Sequence, residues 1–364
     1  MNTFKPTIPS SWAIAAVVVA CAAAPAAAQD CSDAEDPALI CGFERPEDIE
    51  RLAAGRALLI SEYGGLSGSR PGRLTVYQPA DDSRRELYPA NGSQGRPDWG
   101  SADCPGAPGA EFSPHGIHLA TVGGAQRVLA VNHGGREAIE LFELRDASDP
   151  NAVNLRWRGC IIAPEGAWLN DVVGLPDGGL AATHMVERGT GEEALLESER
   201  RRDDIGHVLG WMPDSGWRVI PGSQSALPNG IEVSADGTVL YINEYFGDRV
   251  YALERASGRR LWQTAVDAPD NSSWGDDGRL LVTSHHDNLQ AVFACNAAPL
   301  RPCALRYAIV AIDPENGNRL TVVEGGDALF GAATVAVELG ERLYLGSFVG
   351  DRMATIRRGS GVHP

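Results

Sequence analysis

Leu227-Pro228-Asn229-Gly230-Ile231, followed by Ala235-Asp236-Gly237 and Val239-Leu240-Tyr241-Ile242, decides how the rest of the chain reads. A polar residue opens a short β run, an Asp-Gly turn reverses it, and a second β run returns antiparallel to the first. The form recurs. Trp168-Leu169-Asn170-Asp171-Val172-Val173 leads to Asp177-Gly178 and Leu180, and Pro269-Asp270-Asn271 leads to Asp277-Gly278 and Leu280-Leu281-Val282-Thr283. Ser113-Pro114-His115-Gly116-Ile117 leads to Arg127-Val128-Leu129-Ala130-Val131, and Pro46-Glu47-Asp48-Ile49 leads to Ala57-Leu58-Leu59-Ile60. Gly331-Ala332-Ala333-Thr334-Val335, before Leu343 to Gly346, is the weakest copy, with Thr334 as its only polar residue. The copies begin at positions 47, 115, 170, 229, 270 and about 332. That spacing leaves room for several strands in each copy, which is the signature of a β-propeller. The chain therefore reads as all-β and as a six-bladed β-propeller. A seven-bladed propeller and a large β-sandwich are the alternatives. One helical stretch is expected, around residues 191–203, and its charge suits a surface insertion.

Composition agrees. The 364 residues include 42 Gly and 23 Pro, as a turn-rich β protein requires. With 48 acidic and 31 basic residues the net charge is −17, which argues against nucleic acid or an anionic membrane surface as partner. It leaves room for a cation held by carboxylates.

Residues 1–28 read as a signal peptide: Lys5, an apolar stretch over 11–24, and a small-residue cleavage site at Ala26-Ala27-Ala28. The apolar run is too short to span a membrane, and no other stretch is apolar enough. Residues 29–364 then form one propeller domain, exported to the periplasm or secreted. A lipid anchor on Cys21, within the lipobox-like Val18-Val19-Ala20-Cys21, is the alternative. The six remaining cysteines suit disulfides in an oxidising compartment. Sequence alone leaves their pairing open; closeness favours Cys31–Cys41 and Cys295–Cys303, leaving Cys104–Cys160.

In a propeller the first strand of each blade lines the central channel, so residues at the copy starts converge on the axis. Here these are Glu47, Asp48, His115, Asn170, Asp171, Asn229, Asp270 and Asn271. Unpaired carboxylates gathered there would repel one another. A hard cation with oxygen ligands, such as Ca²⁺, relieves this, and amide ligands argue against zinc. Each residue alone could be an Asx turn or strand cap; their shared phase in five copies argues otherwise. No EF-hand loop occurs, so such a site has to be assembled from distant segments.

In these residues the chain resembles the paraoxonase/arylesterase family of calcium-dependent lactonases. The likeness lies in Pro46-Glu47-Asp48-Ile49-Glu50, Ser113-Pro114-His115-Gly116-Ile117, Val131-Asn132-His133 with Ile139-Glu140-Leu141-Phe142, Leu169-Asn170-Asp171-Val172-Val173, Asn229-Gly230-Ile231 and Asp270-Asn271. The wider SMP-30/gluconolactonase and strictosidine-synthase-like propellers share the fold and part of the ligand set. The resemblance implies two calcium ions in the channel: a catalytic one on Glu47, Asn170, Asn229, Asp270 and Asn271, and a structural one on Asp48, Asp171 and the Ile117 carbonyl. It also implies a pair that activates water, His115 as base and His133 as its orienter. The family's disulfide between the two ends of the chain cannot form, because the last cysteine is Cys303. The entrance loops also differ, near 90–110 and 187–204.

Trp168, His184 and His285 are further candidates for the substrate pocket, whereas His118, His207, His286 and His363 read as surface residues. No GxSxG elbow or HExxH sequence is present. The expected activity is hydrolysis of a small-molecule lactone or aryl ester. A gluconolactonase-like sugar lactonase and a non-catalytic propeller that binds a partner protein are the alternatives. Whether His115 is the base or only positions substrate stays open at this level.

Overall fold

The computed structural model describes Met1 and residues 38–52, 55–89, 97–297 and 300–359. The leader at 1–28 apart from Met1, with Cys21, and also Cys31 and His363 lie outside these. Six antiparallel sheets are arranged as a six-bladed propeller. Blade 1 is Pro46–Arg51, Leu58–Glu62, Arg73–Gln78 and Ser83–Tyr88. Blade 2 is Pro114–Val122, Ala125–Asn132, Ala138–Arg145 and Asn154–Ile162, with Trp99–Gly100 added in parallel at its outer edge. Blade 3 is Leu169–Gly174, Leu180–His184, His207–Met212 and Gly216–Val219. Blade 4 is Pro228–Val233, Val239–Glu244, Arg249–Glu254 and Arg259–Ala265. Blade 5 is Pro269–Trp274, Leu280–His285, Tyr307–Ile312 and Arg319–Gly325. Blade 6 is Ala333–Leu339, Arg342–Ser347 and Arg352–Arg357.

The fourth strand of blade 6 is Ala38–Cys41, from the other end of the chain, with Ala38 opposite Thr355 and Cys41 opposite Arg352. The ring is thus closed by a sheet built from both ends, a feature the repeat pattern did not announce. The first strands of successive blades touch in order around the channel. Between blades the core is apolar; Leu59, Val76, Val128, Phe142 and Trp157 meet between blades 1 and 2. Each such side chain contributes about 1.5–3 kcal/mol by leaving water.

At the lower face, three repeats turn with the same chemistry. Gly178, Gly237 and Gly278 have φ of 88, 73 and 79°. In each case the preceding Asp accepts a backbone N–H two residues on, that of Gly179, Thr238 or Arg279. The opposite face carries two helices, α1 (Glu192–Arg201) and α2 (Leu289–Ala297). The surface insertion expected at 191–203 is only half correct: Leu195 and Leu196 of α1 pack with Leu289, Val292 and Phe293 of α2 over the channel mouth. Disulfides join Cys104 to Cys160 and Cys295 to Cys303, and Cys41 is also disulfide-bonded. Such bonds suit an oxidising compartment. Among the described residues no helix is long and apolar enough to cross a membrane.

Candidate metal centre and active site

In every blade the pairing of the first two strands slips at the same place. The slips fall between Pro46 and Asp48, Pro114 and Ile117, Leu169 and Val172, Pro228 and Ile231, Pro269 and Ser272, and Ala333 and Ala336. A regular strand sends successive side chains to opposite faces; a bulge lets neighbours turn the same way. Glu47, His115, Asn170, Asn229, Asp270 and Thr334 sit in these slips, and all six line one cavity of about 150 Å³ at the upper end of the channel. In four blades the residue before the strand is left-handed: Arg45, Leu227, Ala268 and Ala332, with φ of 54, 56, 31 and 54°. Side chains rarely adopt this conformation, so the packed ring must hold it. Neighbouring blades also grip the backbone of the ring. Thr334 Oγ1 donates to the Glu47 carbonyl at 2.5 Å, Thr183 Oγ1 to that of Asn229 at 2.5 Å, and Asn243 Nδ2 to that of Asp270.

The upper ring is polar, buried and incompletely bonded. Asn271 Nδ2 donates to Glu47 Oε1 at 2.7 Å, and Asn170 Nδ2 lies 3.2 Å from the Met185 sulfur. Glu47 Oε2, Asn170 Oδ1, Asn229 Oδ1 and Asn271 Oδ1 are buried and have no hydrogen-bond partner. Burial, then the charges of Asp48, Asp270 and Asp171, hold the Glu47 carboxyl well above the usual carboxylate range. Burial does the same to Asp270, against a bond from Asn229. Orphaned buried oxygens and carboxyls reluctant to ionise are groups that a hard cation would satisfy. Among the described residues no three His, Cys, Asp or Glu come together to hold a metal. Here two carboxylates are completed by three amides, a donor set suited to calcium.

Below lies a second cavity, of about 240 Å³, lined by Asp48, Glu50, His118, Asp171 and Glu232 among others. Asp48 accepts the Ile49 N–H at 2.8 Å and the Ile117 N–H at 2.6 Å through different oxygens. Asp171 accepts those of Val172 at 2.7 Å and Ile231 at 2.9 Å. Each carboxylate thus bridges to the next blade. Gly116 of blade 2 lets blade 3 come close from the other side, since a Cβ there would fall 2.4 Å from Asp171 Oδ1. His118 faces this cavity and accepts the Gly174 N–H at 3.2 Å, so it is not the surface residue expected; burial lowers its pKa to about 4.

His115 and His133 are both buried, with Nδ1 of the first 3.0 Å from Nε2 of the second. His115 Nε2 lies 3.7 Å from Glu47 Oε1. The Tyr63 ring stacks on His115, centroids 4.5 Å apart. Burial and the neighbouring His133 hold His115 well below the ordinary histidine range, as a neutral imidazole.

Trp168 lines the upper cavity, its Nε1 donating to the Leu66 carbonyl at 3.0 Å. His285 lines it too, fixed by the Tyr245 hydroxyl at 2.8 Å and the Ala333 carbonyl at 2.8 Å. His184 is not among the lining residues: its Nδ1 accepts the Trp168 N–H at 3.1 Å, so it supports the wall from behind. Trp274 packs edge-on against Tyr241 below. Much of the wall was not anticipated. Leu195, Leu227, Phe246, Leu289, Val292 and Phe293 make it largely apolar, and α1 and α2 supply four of these. The charged sequence of α1 hid its role, and the short apolar α2 reads equally well as a strand.

No family model matches the sequence, and no curated protein matches it. Solved structures do. A protein assigned as a gluconolactonase is 14% identical, covering 89% of this chain and 92% of its own, with a TM-score of 0.50. A luciferin-regenerating enzyme is 12% identical, covering 88% and 94%, with a TM-score of 0.50. Regucalcin of Agrobacterium tumefaciens, a calcium-binding protein, is 12% identical over 92% and 94% at a TM-score of 0.47. At such identity the first two likenesses establish a shared fold, the six-bladed propeller, and nothing finer.

Proposed function

We propose that the chain is an exported, calcium-dependent hydrolase of lactones and aryl esters, of the paraoxonase/arylesterase type. The observation that carries the reading is the set of four orphaned oxygens: those of Glu47, Asn170 and Asn229 line an apolar cavity beside a buried histidine, and that of Asn271 belongs to the side chain bonded to Glu47. Glu47, Asn170, Asn229, Asp270 and Asn271 would hold one calcium ion. Asp48, Asp171 and the Ile117 carbonyl would hold a second. When bound, the upper ion would supply Lewis-acid polarisation of the scissile carbonyl and stabilise its developing negative charge. His115, neutral and facing the cavity, takes a proton from the attacking water. Tyr63 covers one face of His115, and the apolar wall takes up the hydrocarbon part of the substrate.

A sugar-lactone hydrolase is the second reading, prompted by the gluconolactonase name of a neighbouring structure. Against it, a polyol would set its hydroxyls against Leu195, Leu227, Phe246 and Leu289, and each unpaired one costs roughly 1–3 kcal/mol. The test is turnover of a fatty γ-lactone, phenyl acetate and gluconolactone, with and without EDTA. Calcium-dependent hydrolysis of the first two supports the proposal. Hydrolysis of gluconolactone alone moves the assignment to sugar lactones, and no turnover at all leaves a binding propeller.

A further inference from the structure

Glu137 appears in none of the repeats and has no part in the chemistry above, yet it sits where two blades meet. Its carboxylate lies 3.1 and 3.0 Å from His133 Nδ1 through Oε1 and Oε2. Oε1 also accepts the Leu169 N–H at 2.8 Å, one residue before Asn170, and Oε2 is bonded by Arg188. The loop that brings Glu137 back to His133 is tight: a Cβ on Gly134 would fall 1.5 Å from the Glu111 carbonyl oxygen. One carboxylate therefore ties His133 of blade 2 to the start of the Asn170 strand in blade 3.

We propose that Glu137 is a positioning residue that sets the tautomer of both histidines, an inference that rests on the hydrolase reading above. A carboxylate flanked by Arg188 and an N–H is an acceptor, so His133 must carry its proton on Nδ1. His133 Nε2 is then a lone pair and accepts from His115 Nδ1 across 3.0 Å. His115 Nε2 is left without a proton, facing the cavity beside Glu47. The base is aimed by a group two residues removed from the reaction. Without Glu137 the relay can reverse: His133 donates from Nε2 to His115 Nδ1, and His115 then presents an N–H, which cannot take a proton from water. A purely structural Glu137 would anchor Leu169 and Arg188 and leave both tautomers indifferent to it.

The experiment uses the full calcium-loaded protein and two readouts. In wild type, nitrogen NMR of labelled histidines is expected to show His133 protonated on Nδ1 and His115 on Nδ1. In Glu137→Gln, which leaves the Leu169 N–H an acceptor, protonation should shift to Nε2 on both. The kcat for a γ-lactone should fall about 10²-fold, the lower end of what a general base contributes, with KM unchanged. Glu137→Asp should recover part of the loss. A wild-type His133 protonated on Nε2 overturns the proposal whether or not the variant folds. So does a folded Glu137→Gln with wild-type kcat, or one whose loss lies in KM alone. The expected wild-type tautomers in a protein that hydrolyses neither lactone nor ester would overturn the reaction, not the orientation.

Discussion

The two ends of the channel are built from neighbouring residues of the same bulges, yet they finish differently. At the lower end every oxygen of Asp48 and Asp171 receives a backbone N–H. At the upper end Glu47 and three asparagines keep an oxygen with no partner. The bulge turns Asp48 and Asp171 toward the next blade's peptide groups, while Glu47, Asn170, Asn229 and Asp270 reach the axis above those groups. The lower carboxylates are therefore part of how blades adhere. The upper oxygens have no partner in the fold, burying them is a cost, and under the proposed function a cation would offset it.

That contrast can be broken most sharply at Asp270. Asp270→Asn keeps its size and removes one charge from the upper ring, and lactone and phenyl acetate hydrolysis should fall by about 10²–10³-fold. In EDTA the same variant should melt no lower than wild type, because burial already disfavours the ionised carboxyl there; in calcium it should melt lower. Near wild-type activity in kinetic assays would remove the upper ring from the chemistry.

Next in size is calcium itself. An ion bound only by the folded state stabilises it by about 4 kcal/mol at a thousand times its dissociation constant. The melting temperature should therefore rise with free calcium and fall in chelator. A melting curve indifferent to calcium, with metal content checked by elemental analysis, contradicts the assignment.

Asp48→Asn probes the lower end. It leaves the Ile49 or Ile117 N–H facing an amide NH₂, a loss of roughly 1–3 kcal/mol. If the lower carboxylates serve only the fold, calorimetry gives the same loss with and without calcium. A loss that grows in calcium places the second ion there.

The smallest effect is one of pH. Burial, and then the Asp48 charge, raise the Glu50 carboxyl from 4.5 to about 8. The folded protein thus keeps a proton that the unfolded chain releases, and this group's contribution is lost as pH rises from about 4.5 to about 8. Glu50→Gln keeps an acceptor for the Leu119 N–H and removes the titration. In EDTA its melting temperature should gain on wild type across that interval; a constant difference would show that Glu50 does not titrate there.

Much of this was legible in the residues. Alternating β runs, Asp-Gly turns and polar residues recurring at one phase specify six blades and bring their starts to one axis, because each signal is local and repeated. Cys295 and Cys303 pair across a short loop, as closeness suggested. Other features depend on residues far apart in sequence. Ala38–Cys41 completes the last blade only because Arg352–Arg357 arrives beside it. Asn271 meets Glu47 across most of the chain length. Leu195 of a charged helix becomes cavity wall once Leu289 and Val292 are packed on it. The spacing of His133 and Glu137 could have hinted at a pair, but nothing local says that the same carboxylate also holds Leu169. The repeat alone determined which side chains reach the channel. Which of their oxygens find a backbone N–H, and which are left without a partner, was decided by the bulges and by the neighbouring blade, since a hydrogen bond depends on where the partner strand sits.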